Sequence, residues 1–529
     1  MKKQTKVMAT LSTAALLALG FSAVSMAAGW DNSTGAWRYL NNDGTEVIDE
    51  WKSANGNWFY LDSDGVMATD KLIEDESSTK GTKYYYVDQY GAMVKNTWKA
   101  VAMDDDDNSD LDAEYWWYYF GNDGKAYTIK SEDAITKNKV KTINGYKYAF
   151  DEEGHMLYGW TMANAGDHSQ NDDNDKLWME ATYYFNGWND GHAQTGWAQI
   201  PVEDNDDETQ NYWFYFNGDG EKQHGKRKKI NGVYYVFAED GHMVDEWAIK
   251  DSDGTWSSLN KVATGTEAEN IAYLNGDGAQ RKNSWVWAIP DEDWINGDYE
   301  DDQYRWFYVG KDGKLTVNKT KKINGKYYAF DEYGRMLTDF VDAKDGAVEK
   351  ICGHDKYTAA EWIANKDGFR SGIDNVYYFS SDEDKDGARK TGYQNIELAD
   401  DTYQFYFQKN GEGKTQYDSK IKKFTVAGLI LKPTNDDDNN YAAIKGVTAN
   451  DDGTYTVGDM TITTSYKNME ANAGNILVNK QGSIVKNKTV KDENDQYWKT
   501  NEKGEIVNKA PDKDTYDAAK KATEDSKKW

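Results

Sequence analysis

The stretch DEDKDG at 382–387 sets Asp382, Asp384 and Asp386 at alternate positions before Gly387, as in the first half of an EF-hand loop. Clustered carboxylates offer calcium the hard oxygen ligands it prefers. Position twelve of such a loop is Tyr393 rather than Glu, however, and the segment falls in an expected hairpin turn. The sequence therefore calls for no cofactor, with calcium at these three aspartates as the single alternative. The other acidic runs, MDDDDNSD (103–110), NDDNDK (171–176), EDNDDE (203–208) and DEDWINGDYEDD (291–302), read as solvated loop charge. His155 and His242 hold one place in two similar segments, where Arg335 stands in a third, and a position that accepts either type shows no sign of catalysis. His168, His192, His224 and His354 are scattered through loops. There is no H-E-x-x-H, no G-x-S-x-G and no phosphate-binding glycine loop, so the expectation is a protein that is not an enzyme.

The amino-terminal MKKQTKVMATLSTAALLALGFSAVSMAAGW places Lys2, Lys3 and Lys6 before an apolar run that ends in Ser25-Met26-Ala27. That order predicts a secretory signal peptide over 1–27. The run is short and diluted for a spanning helix, and no later segment is apolar enough for a membrane span. The expected location is thus outside the cytoplasmic membrane, secreted or at the cell surface. Formal charge is −29, and without the three leader lysines 59 basic residues face 91 acidic ones, which excludes nucleic acid as a partner. A single cysteine, Cys352, rules out a disulfide framework. With hydrophobic residues at 38% and aromatics at 14%, the chain is expected to bury rings in many small places instead of building one large aliphatic core.

Repetition dominates the rest. KTINGYKYAFDEEGHML (141–157) returns as KKINGVYYVFAEDGHMV (228–244) and KKINGKYYAFDEYGRML (321–337). The underlying unit is an aromatic triplet, a polar turn with Gly and often a Met, as in WFYLDSDGVM (58–67), YYYVDQYGAM (84–93) and WFYFNGDGE (213–221). Alternating aromatic and β-prone residues closed by an Asp-Gly or Asn-Gly turn predict a β-hairpin, and a lone hairpin is not stable. Turn glycines fall into three classes: Gly65, Gly154, Gly241 and Gly334 open a superunit; Gly91, Gly191, Gly278 and Gly387 follow; Gly124, Gly220, Gly313 and Gly411 complete it. Between hairpins stands a linking aromatic, at Trp30, Trp51, Trp98, Trp160, Trp197, Trp247, Trp285, Phe340 and Tyr393.

The glycine-tryptophan step, the triplet and the Gly-x-Met turn of GWDNSTGAWRYLNNDG and WKSANGNWFYLDSDGVMATD resemble the choline-binding and cell-wall-binding repeats of Gram-positive surface proteins. They are similar too to clostridial toxin oligopeptide repeats and to streptococcal glucan-binding repeats. The resemblance runs over 28–416, is degenerate over 417–509 and leaves a charged, helix-compatible tail at 510–529. It implies an all-β solenoid of tandem β-hairpins, about three to a turn, with hairpins of one class stacked in register. It also implies ligand pockets walled by aromatics of successive hairpins. The third class keeps both tryptophans, so the pairs Trp98 with Trp117, Trp197 with Trp213, and Trp285 with Trp306 are the candidate ligand residues, and Tyr148, Tyr235 and Tyr328 the third walls. The opening-class hairpins of Gly154, Gly241 and Gly334 lack the linking Trp and have Ala149, Val236 or Ala329 in the third triplet place; second-class hairpins lead with Tyr84, Thr182, Ile271 or Val376. For any single ring, packing between hairpins is the competing role. The functional expectation is a binder of cell-wall teichoic acid choline or of glycan, with an outward-facing carbohydrate-binding adhesin as the alternative.

Overall fold

In the computed structural model, which describes residues 28–76, 81–103, 114–169, 176–203, 208–344, 347–364, 376–381, 387–434 and 440–526, the Asn-Gly of the repeated motif is a two-residue hairpin turn. Asn144 and Gly145 have φ of 51° and 89°, and Asn324 and Gly325 have 48° and 88°. Positive φ at both central residues is the turn whose twist matches paired strands. Ile143 accordingly faces Tyr146, and Ile323 faces Lys326. The signal segment 1–27 and the three aspartates Asp382, Asp384 and Asp386 lie outside the described residues, as does most of the acidic runs at 103–110, 171–176 and 203–208.

The Asp-x-x-Gly turn after each triplet is therefore a second turn, not the one that closes the main hairpin. Extended pairing lies upstream, between the linking strand and the triplet strand: Glu50–Ala54 with Asn57–Leu61, Thr97–Ala102 with Tyr115–Phe120, Ser284–Ala288 with Arg305–Val309. Downstream of the Gly a single bridge usually follows, such as Leu61 to Met67 or Phe120 to Ala126, and after Gly334 only two pairs, Phe330 with Met336 and Ala329 with Leu337. A side-chain acceptor shapes this turn. Asp62 Oδ1 accepts from the N–H groups of Asp64 and Val66 at 3.0 and 2.9 Å, and Asp151 Oδ1 does the same for Glu153 and His155 at 2.9 and 2.8 Å.

The fold is all-β, built of small antiparallel sheets, and divides into two units: 1–227 with 237–243, and 228–236 with 244–529. Within each, one backbone bond couples successive hairpins. The residue two past the turn Gly donates its N–H to the carbonyl of the leading triplet residue of the hairpin before. In the first unit Met67 donates to Trp37, Met93 to Trp58, Ala126 to Tyr84, Met156 to Trp117 and Met243 to Trp213, all at 2.7–2.9 Å. In the second, Gln280 donates to Tyr234 and Arg389 to Tyr327, at 2.9 and 2.8 Å. The side chain of that same residue lies beneath the turn Gly of the next hairpin. A Cβ on Gly91 would stand 2.8 Å from Met67 Cε, and one on Gly124 would stand 2.6 Å from Met93 Sδ. The methionine of Gly-x-Met is thus a packing residue, a flexible side chain fitted under bare backbone.

The carboxyl part departs from the expectation of small aromatic cores. Five strands from Gly392–Glu397 to Leu429–Ile430 form one sheet, and Tyr441–Ala449 pairs with both Tyr455–Thr463 and Ile476–Asn479. Ile396, Leu398, Val426, Leu429, Leu431, Ile444, Val447, Ile476 and Val478 join Phe340, Trp362 and Phe405 in one cluster. Lys513–Ser526 is a helix with no buried residue. Among the described residues no helix is long and apolar enough to cross a membrane.

The glycine constraint is separable from simple turn strain. Gly44 has φ +79°, the same as Gly91, but nothing lies within 4 Å of where its Cβ would be. Both alanine variants incur the left-handed backbone cost of about 1 kcal/mol. Gly91→Ala should lose about 1 kcal/mol more than Gly44→Ala in urea melts, because Met67 and the Ala68 carbonyl must also give way.

Candidate functional site

Each linking Trp is wedged between two aromatics. One stands opposite it on its own hairpin; the other is usually the middle triplet residue of the next. Trp51 meets Tyr60 and Tyr85 at 5.2 and 5.1 Å, Trp160 meets Tyr184 and Phe214 at 4.8 and 5.0 Å, and Trp247 meets Tyr273 and Phe307 at 4.8 and 5.0 Å. Tilted and edge-to-face pairs of this kind add about 0.5–1.5 kcal/mol beyond area burial.

Burial then separates the linking tryptophans into two sets. Trp160 and Trp247 are each 3% exposed: Trp160 shares a buried cluster with Trp178 from the insert of its own hairpin, and Trp247 one with Trp294 from the insert of the next. Trp178 donates Nε1–H to Glu203 O at 2.7 Å; Trp294 donates to Ala263 O at 2.8 Å and stands 5.1 Å from Trp247. Trp362, in the insert of the hairpin led by Phe340, is likewise buried and donates to Val426 O. These acidic inserts are thus anchored by a buried ring, a role their charge hides.

Trp98, Trp197 and Trp285 remain half-buried. Trp98 lies 6.5 Å from Trp117 at 79° and 4.9 Å from Tyr148 at 66°. Trp285 lies 5.9 Å from Trp306 at 85° and 4.8 Å from Tyr328 at 74°. The same corner of three steeply inclined rings therefore occurs twice, once in each unit. Trp197 and Trp213 repeat the tryptophan pair at 6.4 Å and 82°, with Trp213 42% exposed, while the expected third wall, Tyr235, belongs to the other unit.

Two cations not anticipated from the sequence occupy the Gly-x-Met position. Lys222 is 4% exposed; its ammonium sits 5.4 Å from the Trp160 ring and donates to the carbonyls of Trp178, Met179 and Asp240. Burial pulls its pKa down to about 7, against a smaller opposing pull from Asp240. Arg389 lies over Tyr327 and Tyr377. The legible signal was a cation where other copies carry Met.

Remaining candidates resolve as structure. His155 Nδ1 pairs with Asp151 at 2.8 Å and its ring stacks on Trp116 at 4.2 Å; His242 pairs with Asp240 at 2.6 Å and stacks on Tyr212 at 4.8 Å. In the third copy Arg335 pairs with Asp331 and, together with Arg305, with Asp298. Donor atoms of Asp151, Glu153 and His155 lie within 4.8 Å of one another, but the first and last serve the turn itself. Cys352 is buried, and burial pushes its thiol up to about 12, far from a reactive thiolate.

Residues 47–98 match a family described as the choline-binding repeat. The chain is similar to Glucosyltransferase-S of Streptococcus mutans, with 27% identity over 49% of this chain and 16% of the relative, and to Glucosyltransferase-I of Streptococcus downei, with 25% identity over 59% of this chain and 16% of the relative. It thus spans about one sixth of the length of these curated relatives. Among solved structures it aligns with choline binding protein F of Streptococcus pneumoniae at 18% identity, covering 60% of this chain and 100% of the other, with a TM-score of 0.27. The modular autolysin LytC of the same organism, in complex with a synthetic peptidoglycan ligand, aligns at 20% identity over 59% and 52%, with a TM-score of 0.31.

The buried ammonium yields a pH test. Lys222 holds its proton less tightly in the folded protein, at about 7, than an ordinary lysine at about 10.4. Between those values the unfolded chain binds more protons, so stability rises with pH and is lost as pH falls through 7. Relative to Lys222→Met, the wild type should gain about 2 kcal/mol between pH 7 and pH 9 in urea melts. Parallel pH profiles for the two proteins would contradict the burial.

Proposed function

We propose that this chain, whose residues 47–98 are choline-binding repeats, is a secreted, non-enzymatic protein that holds to the bacterial cell wall by gripping choline groups in aromatic corners between hairpins. The observation that carries this reading is the recurrence of one three-ring corner, Trp98, Trp117 and Tyr148 in one unit and Trp285, Trp306 and Tyr328 in the other. Rings inclined at 66–85° can turn more than one π-face towards a single compact cation. Each face is worth about 0.5–2 kcal/mol to a quaternary ammonium, according to its desolvation. The stepwise hairpin coupling supports a solenoid that winds about three hairpins to a turn. Several weak sites on one chain hold a surface by avidity. The charge of −29 repels a polyanionic wall in bulk, so attachment depends on such specific cation sites.

A second reading, carbohydrate binding, is favoured by the likeness to the two glucosyltransferases. Calorimetric titration separates the two. Choline should bind the wild type, and Trp117→Leu or Trp306→Leu should each weaken one site by about tenfold, the worth of roughly one ring face. Heat with oligosaccharide and none with choline would transfer the function to glycan. A lytic band from the purified protein in a cell-wall zymogram would overturn the non-enzymatic part.

A further inference from the structure

The position two residues past the turn Gly is a packing position in most hairpins, filled by Met67, Met93, Met156, Met243 and Met336 and, in smaller form, by Ala126 and Ala193. Arg389 stands there in the hairpin of Gly387. Its backbone does what every copy does, donating to the carbonyl of Tyr327 at 2.8 Å. Its side chain packs under the turn Gly of the next hairpin as Met does, with Cδ 2.7 Å from where a Cβ on Gly411 would stand, but it carries a charged head group beyond that packing. The guanidinium carbon lies 4.1 Å from the centre of the Tyr327 ring and 5.4 Å from that of Tyr377.

Both distances fall inside the range of about 6 Å at which an aromatic face attracts a cation. The two rings come from successive hairpins, Lys326–Phe330 and Val376–Phe379, so the cation sits at a hairpin-to-hairpin step. The negative end of the site is extended by Glu412, whose Oε1 accepts from the Tyr377 hydroxyl at 3.5 Å. The Lys414 ammonium lies 2.9 Å from the other carboxylate oxygen of Glu412. Tyr327 is 37% exposed, so solvent reaches one wall of the site. Lys222 shows the same device in a closed setting, with its ammonium against Trp160 but buried from solvent.

We propose that Tyr327 and Tyr377 form a binding site for an alkylated ammonium ion, and that Arg389 fills it from within the chain. The arginine thereby withdraws this step from the set open to soluble ligand. It also sets ligand number, because the site is closed by one side chain at a position where most copies carry an uncharged residue, Met most often. The ligand class rests on the reading of the aromatic corners as cation sites, whereas the occupancy by Arg389 stands on its own geometry.

The experiment is equilibrium dialysis of the full chain with radiolabelled choline, and with tetramethylammonium as competitor. Arg389→Ala, a residue the repeat already accepts at this position, should raise the number of bound cholines by one per chain. Arg389→Lys should leave the number at the wild-type value, since a cation remains. Adding Tyr327→Ala to Arg389→Ala should abolish the gained site. If the wild type binds no choline but Arg389→Ala binds one, the cell-wall reading fails and the self-filled site stands. If wild type and Arg389→Ala bind equally while both show native circular dichroism, the self-filled site is overturned. A variant that has lost the native spectrum would overturn it too, by showing Arg389 to be a structural strut; Arg389→Met, keeping the bulk, then distinguishes loss of packing from loss of charge.

Discussion

One contact governs how this chain is put together: the residue two past each turn glycine hands its N–H to the hairpin before and its side chain to the glycine after. A two-stranded hairpin in water is marginal at best, and no disulfide supports any of these. Stability must therefore be generated at the steps. The bond fixes the spacing of successive hairpins, and the bare glycine lets a Met side chain approach to within contact of backbone. Linking tryptophans act at the same step, each joining a ring on its own hairpin to a ring on the next. The rest of the architecture, including where rings stay open to solvent, follows from that repeated geometry.

Which rings stay open to solvent is consequently a matter of what folds over them. Trp160 and Trp247 occupy the same repeat position as Trp98 and Trp285, yet they are buried in clusters that inserts complete with Trp178 and Trp294. Where no such cover arrives, the same wedge leaves faces accessible. Growing a loop over an open ring, or changing a Met beside it to a cation, closes a ring face without altering the hairpins themselves.

Much of this was legible in the residues. Alternation of rings with small and polar residues marks strands wherever one face is buried, and the three classes of turn glycine mark the order of hairpins. The principal hairpin turn was harder to place, since Asn-Gly at 144–145 and Asp-x-x-Gly at 151–154 carry equally strong turn chemistry and only pairing distinguishes them. The choice of half-buried third-class tryptophans could be made from their pairing in sequence, but the sealing of Trp160 and Trp247 depends on contacts with inserts that have no repeat pattern. The carboxyl core was illegible for a different reason. FTVAGLIL at 424–431 is buried on every side, so it shows a continuous apolar run instead of a period. Lys222 and Arg389 look like ordinary surface charge until the position they share with Met is recognised.

The coupling of each hairpin to its predecessor by a single backbone bond also has a mechanical side. Tension applied along such a chain is borne by steps in series, and the weakest step yields first while the others keep their registry. Each rupture releases a hairpin's worth of slack and relaxes the load, so a tether built this way dissipates pull in small instalments.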